Sequence, residues 1–318
     1  MWKMDNEVKI INKRIEEVLP IEEPKELSDA MRHLILSGGK RLRPIITMHA
    51  AGAIDAKMAE KGLEAGVALE LIHNFTLIHD DIMDKSLMRR HVKTTHVIFG
   101  EDMAINAGDA MFAKAFSMFY DLPHTRRLVG EVSLMVHDLC KGQAMDILGG
   151  RTRDGKDLKW YLKMIEYKTA KLLQSSARCG AIVAGATDRE TDLLGAFAWD
   201  LGMAFQIQDD LLDAIGDDAK TGKAVGGDIK EGKNTILVVH ALENASAKEK
   251  KIIQGGLGRG DKIKEVIEAF KRAGSMDFAK RLADEYAGNA RKSLQKLKNS
   301  KDKEILMQIL DYTLKREK

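Results

Sequence analysis

Apolar residues recur along this chain at helical intervals of three and four positions. Between residues 5 and 19, Val8, Ile11, Ile15, Val18 and Leu19 share one stripe, which predicts an amphipathic helix ending at Pro20. A second helix, from about Ser28, runs into the breaker Ser37-Gly38-Gly39. Lys40-Arg41-Leu42-Arg43-Pro44 follows, and then apolar helix resumes. Further helices are predicted from Gly62 to near Leu87, over 102–119, from about Leu158 and over 191–215, with short amphipathic helices over 245–318. Only four prolines occur, three of them before residue 45, and Ala, Leu, Lys, Glu and Met dominate the rest, so the chain reads as nearly all-α.

Two of these apolar runs are interrupted by polar residues in helical register. His73, Thr76, Asp80 and Asp84 fall on one side of the first, and Gln206, Asp209, Asp210 and Asp213 are spaced i, i+3, i+4 and i+7 in the second. Both runs contain a motif of identical spacing, Asp80-Asp81-Ile82-Met83-Asp84 and Asp209-Asp210-Leu211-Leu212-Asp213. Carboxylates crowded together at neutral pH must raise their pKa values, pair with basic groups, or bind a multivalent cation. Oxygen-only donors favour a hard ion. Mg²⁺ in particular keeps waters and bridges carboxylates to substrate phosphates. A lone histidine on such a helix is ordinarily a satisfied core residue, but the register of His73 with the aspartates favours function.

Basic residues adjoin these runs. Lys40, Arg41 and Arg43 open a helix whose amino-terminal dipole is itself positive, a conflict that an anion would resolve. Arg89-Arg90-His91 follows the first aspartate helix, where cations also suit the helix carboxy terminus. The loop from Gly216 to Asn234 holds Lys223 and Lys233 among Gly226-Gly227-Asp228 and Glu231-Gly232. It lacks Walker spacing and a preceding strand, and reads as a mobile lid. Gln143 and Asp146 fit either capping or a supporting place beside a site. Small residues around Asn106 and Asp109 suggest close helix packing or a subunit interface. Two oxygen-bearing helices, cations outside them and apolar helix walls together imply a diphosphate with a hydrophobic tail.

Composition narrows the remaining choices. At 318 residues with 44% apolar content the chain can form one large core, so a single domain over residues 1–318 is expected. With 51 Lys plus Arg against 48 Asp plus Glu, the net charge of +3 argues for neither nucleic acid nor a membrane surface. Cys140 and Cys179 have no metal-ligand spacing and make no disulfide framework, which points to a reducing cytoplasm. Charges at Lys3, Asp5, Glu7 and Lys9 leave no signal-peptide core near Met1, so export is not expected.

Gly-Gly-Lys-Arg-Leu-Arg-Pro, the two Asp-Asp-x-x-Asp motifs, Lys168-Thr169, Phe205-Gln206 and Glu231-Gly232-Lys233 together resemble the trans-type isoprenyl diphosphate synthases, over roughly residues 28 to 240. The resemblance implies an all-α bundle of long helices around a central active-site cavity, usually a homodimer, that elongates an allylic diphosphate with isopentenyl diphosphate. It implies Asp80, Asp84 and Asp209 as ligands of more than one Mg²⁺, with Asp81, Asp210 and Asp213 acting through hydrogen bonds or metal-bound water. It further implies Arg89, Lys168, Thr169, Gln206, Lys223 and Lys233 on the allylic diphosphate, and Lys40, Arg43, His73 and Arg90 on isopentenyl diphosphate.

Within that family, bulky residues four and five positions before the first motif limit the product, and here these are Thr76 and Phe75. An aromatic at the fifth position, with no insertion in the motif, resembles archaeal geranylgeranyl diphosphate synthases and implies a C20 product. A farnesyl or bifunctional farnesyl/geranylgeranyl synthase is the alternative. A helical wheel sets Thr76 below Asp80 and Phe75 roughly 140° away, so Phe75 reaches a tail only if the helix bends or the pocket is wide. A terpene cyclase would replace the second motif with one containing Asn, Ser or Thr and Glu. A di-iron bundle would need paired Glu-x-x-His motifs, and only Glu70 to His73 supplies one. A non-catalytic prenyl-diphosphate-binding subunit would tend to lack the metal ligands present here. The basic tail Lys315-Arg316-Glu317-Lys318 reads as a solvated end.

Overall fold

The computed structural model describes residues 4–150, 157–215 and 225–314. These residues are almost entirely helical: α1 Asp5–Val18, α2 Lys25–Leu36, α3 Leu42–Ile54, α4 Ala59–Met83, α5 Thr95–Phe99, α6 Glu101–Tyr120 and α7 Thr125–Gly150 come first. After them run α8 Leu158–Ile165, α9 Lys171–Val183, α10 Asp188–Ile215, α11 Gly227–Glu231 and α12 Ile236–Asn244. The series ends with α13 Ala247–Gly256, α14 Ile263–Arg272, α15 Ser275–Gln295 and α16 Lys301–Leu314. The fold is all-α, as the periodicity predicts. Among the described residues the strands are β1 Met88–Arg89 and β2 Val92–Lys93, an antiparallel ribbon. No described helix is long and apolar enough to cross a membrane.

Four stretches differ from the sequence reading, one being the predicted loop from Gly216 to Asn234, within which Gly227–Glu231 forms α11. Helix α4 stops at Met83, four residues short of Leu87, because Lys85 takes a left-handed conformation with φ 53°. The Lys85 and Ser86 amides then donate back to the Ile82 and Asp81 carbonyls at 3.2 and 2.9 Å, a Schellman ending that puts Asp84 at the cap. Helix α7, Thr125–Gly150, spans a stretch in which the sequence reading names no helix. The last quarter contains a helix of 21 residues, α15, rather than only short ones.

Contacts divide the chain into two units, the first ending at Leu134 and also holding Ser175–Gly195 and Leu297–Leu306. The second comprises Met135–Gln174, Ala196–Lys296 and the residues from Met307 onward. In the first unit α3 fits closely against α4 and α9 at glycines. A Cβ on Gly66 would lie 2.6 Å from Pro44 Cα, and one on Gly180 would lie 2.2 Å from Thr47 O. The room that the small residues Ala177, Gly180 and Ala181 leave in the sequence is thus filled by the α3 backbone. Helix α4 also packs on α6, where Gly108 lies under His79: a Cβ there would come 2.2 Å from His79 Nε2.

The second unit is built around α12, whose Ile236, Leu237, Val238, Val239 and Ala241 are all buried. They share a core with Tyr161, Met203, Ile207 and Phe270. A short helix apolar on nearly every side has no solvent face, so surrounding helices must enclose it. Gly180→Ala is expected to cost about 1–3 kcal/mol of stability in denaturant unfolding, because the new methyl meets backbone that no rotamer change can clear. An unchanged midpoint would contradict that close approach.

Candidate active site

In the first unit, Asp80, Asp81 and Asp84 occupy the last turn of α4, where the helix dipole is negative and disfavours carboxylates. The three differ in exposure: Asp84 is exposed, Asp80 half-buried and Asp81 fully buried. Asp81 Oδ1 accepts Arg89 Nε at 2.8 Å and Nη2 at 2.7 Å, while its buried Oδ2 has no hydrogen-bond partner. Burial pushes the Asp81 carboxyl up in pKa, against the pull of Arg89.

Arg90 and His91 are the central residues of the hairpin turn joining β1 to β2, both left-handed at φ 51° and 64°. Two-residue turns of this kind favour Asn and Gly, and a non-glycine residue there costs about 1–2 kcal/mol. The turn carries Arg90 back to the Ser37–Gly39 breaker, where its Nη1 donates to the Gly38 carbonyl. Gly39, at φ 143°, leaves room for two guanidiniums: a Cβ there would lie 3.3 Å from both Arg41 Nη1 and Arg90 Cζ.

The anion called for by the basic start of α3 proves, for Arg41, to belong to the protein itself. Arg41 is buried, donating through Nη1 to Glu70 Oε1 at 3.0 Å, through Nε to Asn12 Oδ1 at 2.8 Å, and through Nη2 to the Ile35 carbonyl. Sequence reasoning missed Glu70. Its signal is an acidic residue inside an apolar run, one turn before His73 on the same side of α4. Arg43 has a buried Nε without a partner, and burial lowers its guanidinium to about 10 despite attraction to Glu70. Burial, then the guanidiniums of Arg43, Arg90, Arg89 and Arg41, push His73 well below its usual value, so it is neutral at neutral pH. Arg43, His73 and Arg90 therefore form one electrostatic group in which cations outnumber carboxylates, suited to an added anion; Lys40 is exposed at the same breaker.

Thr76 turns its hydroxyl to the His73 carbonyl at 2.8 Å. Phe75 lies on the α6 side of α4, its ring edge-on to Phe112 at a centroid distance of 5.3 Å and an angle of 73°. Phe112 in turn meets Phe116 at 4.8 Å.

In the second unit the middle aspartate is again the buried one. Asp210 accepts Tyr161 OH at 2.7 Å, Gln206 Nε2 at 2.9 Å and the Ile236 amide at 3.1 Å. Burial, reinforced by nearby Asp228, pushes its carboxyl up to about 7. Asp213 accepts the Asp228 amide at 3.0 Å, and its own carbonyl accepts the Gly226 amide at 2.8 Å, so it anchors the start of α11. Asp209 is half-buried. Lys168 and Thr169 sit in a π-helical turn, Glu166–Ala170, with Lys168 Nζ 2.5 Å from Asp146 and Thr169 Oγ1 donating to Gln206 at 2.9 Å.

Lys233 lies 2.7 Å from Glu231 and 3.5 Å from Asp228. Burial opposes its charge, yet Asp228 and Glu231 hold its pKa above the usual value. Asp228 is a further carboxylate that sequence reasoning passed over, pushed up by burial and by Asp209. Lys223 and the tail Lys315 to Lys318 lie outside the described residues. Cys140 is exposed and Cys179 buried, both as free thiols.

Among the described residues no three His, Cys, Asp or Glu side chains form a ready cage for a metal. Magnesium does not require one, since it commonly takes one or two carboxylates together with waters and substrate phosphates. The oxygen-only donors, with Asp84 exposed and Asp80 and Asp209 half-buried, fit that mode of binding.

The family model described as polyprenyl synthetase matches residues 24–273, and the chain belongs to that family. It is 39% identical to a short chain isoprenyl diphosphate synthase of Methanothermobacter thermautotrophicus, over 96% of this chain and 95% of the relative. It is 38% identical to a geranylfarnesyl diphosphate synthase of Aeropyrum pernix, over 93% and 96%. The crystal structure of geranylgeranyl pyrophosphate synthetase from Pyrococcus horikoshii superposes with a TM-score of 0.94 at 35% identity, covering 99% of this chain and 98% of that one. A geranylgeranyl pyrophosphate synthase from Corynebacterium glutamicum, complexed with isoprenyl diphosphate and magnesium, gives a TM-score of 0.90 at 26% identity over 99% and 100%.

Glu70→Ala leaves buried Arg41 without its carboxylate and is expected to cost about 3–5 kcal/mol of stability in urea unfolding. A loss below about 1 kcal/mol would contradict the pairing.

Proposed function

We propose that the protein condenses isopentenyl diphosphate with an allylic diphosphate (dimethylallyl, geranyl or farnesyl), head-to-tail and in the trans configuration, to give geranylgeranyl diphosphate. It would do so as a cytoplasmic homodimer. The observation that carries this reading is the inequality within each aspartate motif. Asp81 and Asp210 are buried and engaged by Arg89 and by Tyr161, Gln206 and Ile236, whereas Asp80, Asp84 and Asp209 are nearer to solvent.

Asp80, Asp84 and Asp209 would hold magnesium, more than one ion per site, which supplies positive charge to the allylic diphosphate as it departs. Asp81, Asp210 and Asp213 act behind them through hydrogen bonds. Arg89, Lys168, Thr169, Gln206, Lys233 and Lys223 hold the allylic diphosphate, and Lys40, Arg43, His73 and Arg90 hold isopentenyl diphosphate. Neutral His73 contributes a hydrogen bond there rather than charge.

The chemistry follows from where charge develops. Breaking the allylic C–O bond leaves a carbocation and a diphosphate anion, and lysines and arginines aimed at the anion stabilise it as it forms. The isopentenyl double bond attacks the cation to form the new C–C bond. The proton then lost passes to the departed diphosphate, which restores an allylic product. Asp80→Ala or Asp209→Ala is expected to lower turnover about a hundredfold or more while the protein stays folded. Near-normal rates in either variant would overturn the metal assignment.

Phe75, five residues before the first motif and held edge-on against Phe112 of α6, supports the C20 product. A C25 product is the second reading, favoured by similarity to the Aeropyrum geranylfarnesyl synthase. Phe75→Ala is expected to shift products to longer chains by chromatography. An unchanged spectrum would mean that another residue forms the floor.

A further inference from the structure

The π-turn Glu166–Ala170 is pressed between two helices at glycines. The turn is marked by the Lys171 amide, which bonds the Glu166 carbonyl five residues back. On α7, a Cβ at Gly142 would lie 2.4 Å from Lys168 N, 2.7 Å from Lys168 Cα and 2.8 Å from the Tyr167 carbonyl carbon. On α10, a Cβ at Gly202 would lie 2.6 Å from Ala170 Cα and 3.0 Å from Ala170 Cβ. These are predominantly contacts with backbone, so no side-chain rotation relieves them. One helical turn beyond each glycine stands the partner of a functional side chain. Asp146, four residues after Gly142, takes Lys168 Nζ at 2.5 Å, and Gln206, four residues after Gly202, takes Thr169 Oγ1 at 2.9 Å.

We propose that Gly142 and Gly202, with Asp146, are positioning residues for prenyl transfer. The glycines let two helices clamp the backbone of the π-turn, and Asp146 sets the lysine, so that Lys168 and Thr169 are presented together to the allylic diphosphate. An α-helical continuation would carry one residue fewer through this stretch and turn the helix after it by about 100° relative to the helix before it. The clamp holds the extra residue in place. The inference rests on the proposed role of Lys168 and Thr169, and it assigns their placement to residues that do not touch substrate.

The test measures kcat and the KM of each diphosphate, with the other saturating, for the wild type, Lys168→Ala, Gly142→Ala, Gly202→Ala and Asp146→Asn, alongside thermal melts. A displacement of about 1 Å at a reacting centre lowers rates by up to ~10²-fold. Folded Gly142→Ala and Gly202→Ala are therefore expected to lose about ten- to a hundredfold in kcat/KM for the allylic diphosphate. The KM for isopentenyl diphosphate is expected to stay within about twofold, a selectivity that general loss of structure would not produce. Asp146→Asn adds no volume; should the glycine variants fail to fold, the same selective loss in it supports the proposal, and its absence overturns it. An allylic KM and rate unchanged in Lys168→Ala would overturn the role of Lys168 and the proposal with it. An impaired Lys168→Ala beside folded glycine variants of normal allylic kinetics would overturn the proposal alone.

Discussion

Carboxylates gathered where they repel one another and oppose a helix dipole are the constraint on which the rest of the site depends. The last turn of α4 carries Asp80, Asp81 and Asp84 at its negative end, an arrangement that costs stability unless positive charge arrives. Part of that charge is internal: Arg89 reaches back from β1 and takes Asp81. The second motif meets the same problem differently. Asp210 is held by a phenol, an amide side chain and a backbone amide, and its pKa rises to about 7 rather than meeting a cation. In both motifs the middle residue is thus committed to the protein.

The basic side of the site follows the same logic with the signs reversed. Arg41 has its own carboxylate, Glu70, and is structural. Arg43 and Arg90 share the field of that one carboxylate, and burial depresses both of their pKa values, an environment that an added anion would relieve. A left-handed hairpin turn, unusual for Arg and His, directs Arg90 to the glycine breaker. Strained backbone at such a place is often retained because it sets a functional side chain.

Much of this was legible in the sequence. The helical runs, the two motifs and the register of His73, Thr76, Asp80 and Asp84 follow from a period of 3.6, which local pattern expresses directly. What was not legible depends on long-range partners or on backbone that departs from a regular helix. Glu70 reads as one acidic residue in an apolar run until Arg41, 29 positions earlier, is placed beside it. The early stop of α4 rests on left-handed Lys85, and lysine gives no signal for that conformation. The π-turn under Lys168-Thr169 becomes visible only when Gly142 and Gly202 are seen to press on it. Asp228 looked like a loop residue, and its significance comes from Asp209, Asp210 and Asp213 nearby.

The central claim is that these aspartates serve magnesium-dependent transfer of an isopentenyl unit to an allylic diphosphate. It is tested most directly by incubating the purified protein with labelled isopentenyl diphosphate and each allylic starter, with Mg²⁺ or with a chelator, and sizing the products. The account predicts a C20 diphosphate with Mg²⁺ and no elongation with the chelator. Elongation that persists under chelation, or none with any starter in the presence of Mg²⁺, would contradict it.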